Sequence, residues 1–538
     1  MLAISQYLAS IVDPHLLSII LFAPFVGAAV LLFVDGKNLA AIRGIAAGAS
    51  GVSFAASIYL LYAFNYATGS AQFQFLEQYE WSKDIGISFF LGVDGMSVPL
   101  VLASSLLLFA GVFVSWHIED RAREFYIFLL ILASATIGVY VSLDLFFLYF
   151  FYEMSVVPMY PLLGIWGSHT KGYLEMKDTA KRDSVGFIFN FGSNSKEYAA
   201  MKLTLFLSAG AVVALLGIFL TYVGTGLNTF NLIELQGHED KFSPVMRSAI
   251  WLMLFFGFAS IAPLWPMHSW SPVGHAAAPA AVSMLHAGVL MKLGHFSIIR
   301  VGYWLFPQTT AEWAWLIAIL CVFSIIYGGL VAFFQRDTKY VIGYSSSSHM
   351  GYIFLGMAAL NMISMTGAVL YMFAHALATG MLFSMAGYVY DQTHTRDIPS
   401  LGGLGKKMPF IMGAFVVGLM ASVGLPGTVN FIGELMVFVG SWDQYPVQVV
   451  IAVVGITITL GYLLRMFIGL FLGGMDPKWE HAHDAKLVDR VPILIMISFA
   501  IFFGLFPTQF IHVISAGMQP ILEQIHSAGA VASAGGGG

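Results

Sequence analysis

Charge is what this sequence has least of. Only 10% of its 538 residues are Asp, Glu, Lys or Arg, less than half of the roughly 25% usual in soluble domains. Hydrophobic residues make up 58% and the mean hydropathy is +0.82, which excludes an ordinary soluble enzyme. Cysteine occurs once, at Cys321 in an apolar run. That excludes an intrachain disulfide, a Cys-rich zinc site and a four-cysteine iron–sulfur cluster. A phosphate-binding loop is missing too: GGLGKK at 402–407 has Ser400 where the Walker spacing needs Gly, and Lys407 where it needs Ser or Thr. Any redox or nucleotide chemistry coupled to this chain belongs to other chains.

Long apolar runs are present from end to end. A helix needs about 20 apolar residues to cross a hydrocarbon core. Stretches such as LFLSAGAVVALLGIFLTY (205–222) are apolar all round, unlike the alternating strands of a membrane barrel. The expected fold is all-α and polytopic, with about fourteen spans near 16–34, 40–64, 96–117, 125–142, 145–166, 201–223, 246–272, 276–303, 312–335, 340–360, 364–390, 409–441, 446–473 and 491–515. Asp13 precedes the first run and no Lys or Arg lies before it, so it reads as a retained anchor rather than a signal peptide.

With these spans, seventeen lysines and arginines fall on one side, and only Lys83, Lys241 and Arg247 on the other. The positive-inside rule makes the first side cytoplasmic and puts both termini on the opposite side. Residues 167–200 form a long polar cytoplasmic connection, read as a solvated loop that could contact a partner. The low-complexity tail 527–538 reads as disordered.

An ionisable side chain at mid-membrane costs about 2.5–3.5 kcal/mol, so each is a functional hypothesis. Glu153, Lys292 and Glu434 lie deep within spans; the rival reading for each is a buried ion pair that holds helices together. Lys202 and Lys339 lie near helix ends, where a lysine can snorkel to water, and Asp144 and Arg300 read as interfacial. His286, His295, His349 and His375 fall in or near spans, and His268 and His275 flank the broken stretch 263–279. A lone histidine is usually a packing residue. Several in spans that also hold Glu and Lys point to a proton path. HAHD at 481–484 has no further ligands in view and reads as solvated rather than metal-binding. Pro263, Pro266 and Pro272 break the seventh span; Gly424, Pro426 and Gly427 break the twelfth. Breaks in corresponding positions of two halves point to inverted repeats around an ion site.

The segments LGVDGMSVPLVLA (91–103), LYFFYEMSVVPMYPLLGIWG (148–167), PLWPMHSW (263–270), AGVLMKLG (287–294), IGYSSSSHMGYI (342–353), YMFAHALATGMLF (371–383), YDQTHTRDIPSLGGL (390–404) and GLPGTVNFIGEL (424–435) together carry a resemblance. The chain resembles the subunit M family of bacterial NADH:quinone oxidoreductase, respiratory complex I. Multisubunit sodium/proton antiporters and hydrogenase or F420H2-type complexes have similar subunits.

The resemblance implies a non-redox, proton-translocating antiporter-like subunit of the bacterial inner membrane, seated among neighbouring antiporter-like subunits. NADH, FMN, iron–sulfur clusters and quinone would be bound by partner subunits, and no cofactor by this chain. It implies helices 1–3 over 1–124, two inverted five-helix repeats over 125–303 and 304–473 with broken helices 7 and 12, and a last helix and tail over 474–538. It assigns the proton path to Glu153, Lys292, His349, His375 and Glu434, with His286, Lys202 and Lys339 as further candidates.

Two positions depart from the family pattern. Ile261 stands where helix 7 normally has the lysine that pairs with Glu153, and Pro272-Val273-Gly274-His275 lacks the family's Asp. Either His286 supplies a replacement titratable group, or this chain does not pump through the usual input path.

Overall fold

The structure, a computed structural model, describes residues 13–67, 69–168 and 195–535, with side chains as far as residue 528. The expectation for the 167–200 connection therefore falls largely on 169–194, outside the described residues.

The helices follow the expected order. They are α1 (Leu16–Leu31), α2 (Leu39–Ala63), α3 (Ser97–Val114), α4 (Ala122–Val141), α5 in two pieces (Leu145–Val156 and Met159–Trp166), α6 (Lys196–Thr225), α7 (Pro244–Ile261) with a short continuation Ser271–Ala277, and α8 (Ala280–Tyr303). Then come α9 (Pro307–Phe334), α10 (Thr338–Ala358), α11 (Met362–Thr393), α12 in two pieces (Pro409–Ser422 and Val429–Ser441), α13 (Pro446–Phe471), α14 (Leu487–Leu505) and α15 (Thr508–Gly535). Among the described residues twelve helices are long and apolar enough to span a membrane. The broken α12 and α10 are less apolar or shorter; α10 carries the polar run Ser345–His349 in its middle.

In hydrocarbon every backbone polar group must be satisfied within the protein, so helix ends need partners. Side-chain caps supply several: Asn38 accepts from the Ala41 amide at 3.1 Å, Ser195 from Tyr198 at 3.0 Å, Asp337 from Lys339 and Tyr340 at 2.9 and 3.2 Å, and Asn361 from Ser364 at 3.0 Å. The helices α8, α10 and α11 form the centre: the best apolar windows of α8 and α11 are wholly buried, and α10 is buried along nearly all of its length. By contrast, α2, α6, α13 and α14 bury a minority of their residues and present apolar faces outward, as lipid-facing helices do.

Four features depart from the sequence reading. First, the helical bundle carries an unexpected addition: β1 (Gln74–Ser82) and β2 (Ile87–Val93) form an antiparallel hairpin with Glu77 opposite Leu91 and Tyr79 opposite Phe89. Strands this short carry little signal beside 20-residue helical runs. The hairpin is pinned in place, because Ser18 donates to the buried Glu77 carboxylate from its amide at 3.0 Å and its hydroxyl at 2.5 Å. Its turn is held by the amide of Phe230, which donates to Gly86 O at 3.0 Å.

Second, the last span ends at Leu505. Residues 508–535 form a separate helix, so residues 527–535 of the expected disordered tail are helical. This α15 crosses the helix ends that lie on the hairpin side: Tyr66 stacks on His512, His526 Nε2 lies 2.9 Å from Leu360 O, and backbone meets backbone at Gly95 and Gly517. Third, α5 is also broken, at Val157–Pro158, where a proline removes a helix hydrogen bond.

Fourth, Asp144 and Arg300, expected at the interface near span ends, are buried within the protein. Asp144 is fully buried and caps α5, accepting from the amides of Phe146, Phe147 and Ser88 at 2.9, 3.2 and 3.0 Å. Arg300 is 1% exposed and its Nη2 lies 2.7 Å from Asp94 Oδ1, itself 0% exposed. The guanidinium packs over the rings of Phe73 and Phe296. Two charges removed from water together are tolerable where each alone would not be.

Candidate functional site

The site begins where α8 loses its regular pitch. Residues His286–Leu290 and Ile298–Tyr303 are π-helical turns, a geometry in which carbonyls lose their usual partners and which recurs at functional sites. The Lys292 ammonium uses this irregularity: it donates to Ala287 O, five residues back. Its other partner is His375 Nδ1 on α11, at 2.7 Å. Both residues are 0% exposed. A lysine donating to Nδ1 requires the neutral imidazole to carry its proton on Nε2, and that nitrogen has no hydrogen-bond partner in the structure.

From His375 the polar groups continue to α10. The His375 and His349 rings lie 5.3 Å apart between centroids. His349 Nδ1 is 2.8 Å from the Tyr371 hydroxyl, which donates to Glu434 Oε1 at 2.8 Å. Glu434 sits on the second piece of α12 (Val429–Ser441), beyond the Gly-Leu-Pro-Gly break at 424–427. The break shapes its pocket: Gly424 has φ +72°, and a Cβ there would fall 1.9 Å from Glu434 Oε2, so the carboxylate packs on bare backbone that only glycine leaves free. Lys292, His375, His349, Tyr371 and Glu434 thus form one buried line across four helices.

On the other side of Lys292 the line turns toward α7. His286 lies between the Trp270 ring, on which it stacks at 5.1 Å, and the His275 ring, tilted against it at 4.1 Å. Neither ring nitrogen of His286 has a hydrogen-bond partner, so it is not tied to a backbone carbonyl. His275 Nε2 lies 3.3 Å from Met291 Sδ. His295 on α8 lies with Nδ1 3.3 Å from Met291 O and packs on Phe354.

The structure does not bring every expected residue into this line. Glu153 is half-buried, and among the described residues its side-chain hydrogen bond is from Tyr149, one turn away on the same helix, at 3.3 Å. Ile261 is fully buried at the end of α7, and no salt bridge among the described residues includes Glu153. Lys202 is half-buried, with its ammonium 5.8 Å from the Tyr198 ring. Lys339 is 3% exposed, so it does not snorkel; its Nζ donates to Ala278 O at 2.6 Å. Tyr371 is the residue that sequence reasoning missed. Its signal was its position four residues before His375, which puts both on one face of α11.

Among the described residues no group of three or more His, Cys, Asp or Glu could hold a metal ion. What the line offers is a row of groups that give and take protons. The fold and this row together define a polytopic membrane protein with a buried protonatable axis, the architecture of ion translocators.

Residues 185–459 match the family model described as NADH:quinone oxidoreductase/Mrp antiporter, TM. The chain is 31% identical over 515 residues to NADH-quinone oxidoreductase subunit M of Rickettsia prowazekii, covering 94% of this chain and 98% of that relative. A chain in the structure of respiratory complex I from Thermus thermophilus superimposes with a TM-score of 0.82 at 23% identity, covering 95% of this chain and 99% of the other. A chain of the Mrp complex from Dietzia sp. does so with a TM-score of 0.79 at 19% identity over 96% and 99%. This protein belongs to the NADH:quinone oxidoreductase/Mrp antiporter transmembrane family, and within it is similar to the M subunits.

Proposed function

We propose that the chain is a proton-translocating, non-redox subunit of a respiratory NADH:quinone oxidoreductase. Electron transfer would occur on partner subunits that hold NADH, FMN, iron–sulfur clusters and quinone. The observation that carries this reading is the continuous contact from Glu434 through Tyr371 to His349, with Lys292 bonded to His375 beside it. With the proton on His349 Nδ1, that N–H donates to the Tyr371 oxygen while Tyr371 donates to the Glu434 carboxylate. With the proton on Glu434, the carboxyl donates to Tyr371 and Tyr371 donates to His349. Exchange between these two arrangements moves one proton across the tyrosine without moving a heavy atom. Lys292 would set which arrangement prevails: as an ammonium it repels a second positive charge on the nearby imidazoles, and as a neutral amine it permits one.

The same reading assigns Glu153 to the proton path at the outer edge of the chain, and His286 to the position vacated by the helix-7 lysine. It also divides the chain into helices 1–3 (1–124), inverted repeats over 125–303 and 304–473, and a C-terminal part over 474–538. The breaks in α7 and α12, five spans apart, support the repeats. The seventeen basic residues on one side support a cytoplasmic-membrane orientation with both termini on the opposite face. Neighbouring antiporter-like subunits are the proposed partners.

The test is the ratio of protons moved to electrons transferred in sealed vesicles that contain the assembled complex. Lys292→Ala and Glu434→Gln should lower it with NADH oxidation retained. A normal ratio in both variants would remove the proposal.

A further inference from the structure

Two cavities lie on the side of the bundle that holds the basic connections. The outer one, about 430 Å³, is lined by His117, Glu119, Tyr388, Asp391, His483 and Asp489 among others. Its wall carries charges of both signs, with Arg43 and Lys486 adding to those just named, so it is a place for water rather than lipid. The inner one, about 130 Å³, is lined by Ser115, Trp166, Ala278, Lys339, Tyr390 and Asp391 among others. Val114, His117 and Asp391 belong to both, so the titratable groups shared by the two cavities are one imidazole and one carboxylate. His117 Nε2 lies 3.3 Å from Asp391 Oδ2, and the two side chains are 54% and 36% exposed.

Beyond this pair the inner cavity ends on Lys339. Its ammonium is fixed on Ala278 O at 2.6 Å, and Ser283 Oγ reaches the same carbonyl at 3.4 Å while donating to His275 O at 3.0 Å. Lys339 is on the first turn of α10; one turn further in, Gly343 packs directly on His275, where a Cβ would lie 3.4 Å from that of the histidine. His275 in turn packs against His286, ring centroids 4.1 Å apart. The cavities therefore end where the buried histidines begin, on the α7 side of Lys292.

We propose that His117 and Asp391 form the cytoplasmic proton-access site of this chain, delivering protons from the outer cavity to Lys339 in the inner one. This rests on the proton-translocating reading above and on its orientation. A proton from water in the outer cavity is taken up by the Asp391 carboxylate or the His117 imidazole and passed to Lys339 when its amine is neutral. The pair thereby returns to its starting charge, and Lys339 becomes an ammonium until it releases the proton inward toward His275. Such a route by-passes the position of Ile261, where an input lysine is absent. Asp391 and His117 are proton donors in this scheme, whereas Arg396, bonded to Ala276 O and paired with Asp337 at 3.0 Å, positions the adjoining backbone.

The experiment compares Asp391→Asn, Asp391→Glu, His117→Gln and Lys292→Ala in the assembled complex in sealed vesicles. Proton movement and NADH oxidation are measured side by side. Asp391→Asn and His117→Gln should lower the proton-to-electron ratio as far as Lys292→Ala does. Asp391→Glu should restore it, and a diffusible weak acid such as hydrazoic acid should raise it in Asp391→Asn and His117→Gln but not in Lys292→Ala. A structural role for the pair would not respond to the weak acid. If Lys292→Ala lowers the ratio while Asp391→Asn and His117→Gln leave it at the wild-type value, the access site is overturned and the proposed function stands. If Lys292→Ala leaves the ratio unchanged, the proposed function itself fails. Should Asp391→Asn fail to assemble, His117→Gln decides the matter from a half-exposed position where the exchange is small.

Discussion

Lys292 and His375 meet at the centre of the bundle with Nζ 2.7 Å from Nδ1, and neither side chain reaches solvent. The amine has one backbone and one imidazole partner and no carboxylate. Among the described residues no salt bridge includes it, so a change in its protonation is felt at once by the imidazoles beside it. His375→Gln keeps an acceptor near Nζ but cannot carry a proton through the ring. It is expected to assemble with a melting temperature near that of the parent and a lowered proton-to-electron ratio. Differential scanning fluorimetry of the purified complex and vesicle acidification together check this.

Tyr371→Phe removes one oxygen from the path. It leaves Glu434 Oε1 and His349 Nδ1 without their shared partner, at a cost of about 1–3 kcal/mol in stability. It should also interrupt transfer between them. The expected outcome is a lower proton yield, comparable to Glu434→Gln, with quinone reduction retained. A full proton yield would show that the hydroxyl is packing, not path.

The buried pair of Asp94 and Arg300 predicts a sharp asymmetry. Arg300→Met leaves an uncompensated carboxylate at 0% exposure and should cost about 3–5 kcal/mol, and Asp94→Leu should cost a similar amount from the other side. The double variant should recover most of the loss, because two apolar side chains replace two desolvated charges. Thermal unfolding of the three variants measures this coupling.

Gly424→Ala places a methyl 1.9 Å from Glu434 Oε2 at φ +72°. The backbone strain alone is roughly 1–2 kcal/mol, and the carboxylate must also leave its seat. The variant should lose proton translocation more completely than it loses assembly. Glu153→Gln is its opposite: a half-buried side chain with one partner on its own helix should change stability by no more than about 0.5 kcal/mol. Chemical unfolding separates the two cases.

Much of this was legible from residue order alone. The helix sequence follows from apolar length, and Lys292, His349, His375 and Glu434 stand out because ionisable groups are conspicuous against hydrocarbon. The partners of those groups were not legible. Tyr371 is one tyrosine among 23, and only the packing of α10, α11 and α12 shows that its hydroxyl bridges His349 and Glu434. Arg300 reads as interfacial by its position, yet Asp94, some two hundred residues earlier, draws it into the core. Lys339 reads as a snorkelling side chain until Tyr390 and Ala278 are seen closing over it. His117 and Asp391 carry no signal in isolation, since each lies at a helix end where charge is ordinary. The hairpin carries no comparable signal, because strands of nine and seven residues are far shorter than a membrane-spanning helix.

The helix α15 leaves one further consequence. It lies across the helix ends instead of beside them, and its backbone touches that of the α3 approach at Gly95 and Gly517 with no side chain between. A tie-bar seated so closely resists shear: for α15 to slide across the start of α3, Gly517 would have to ride past Gly95 against bare main chain. The hairpin end of the bundle is thereby braced by main chain set on main chain.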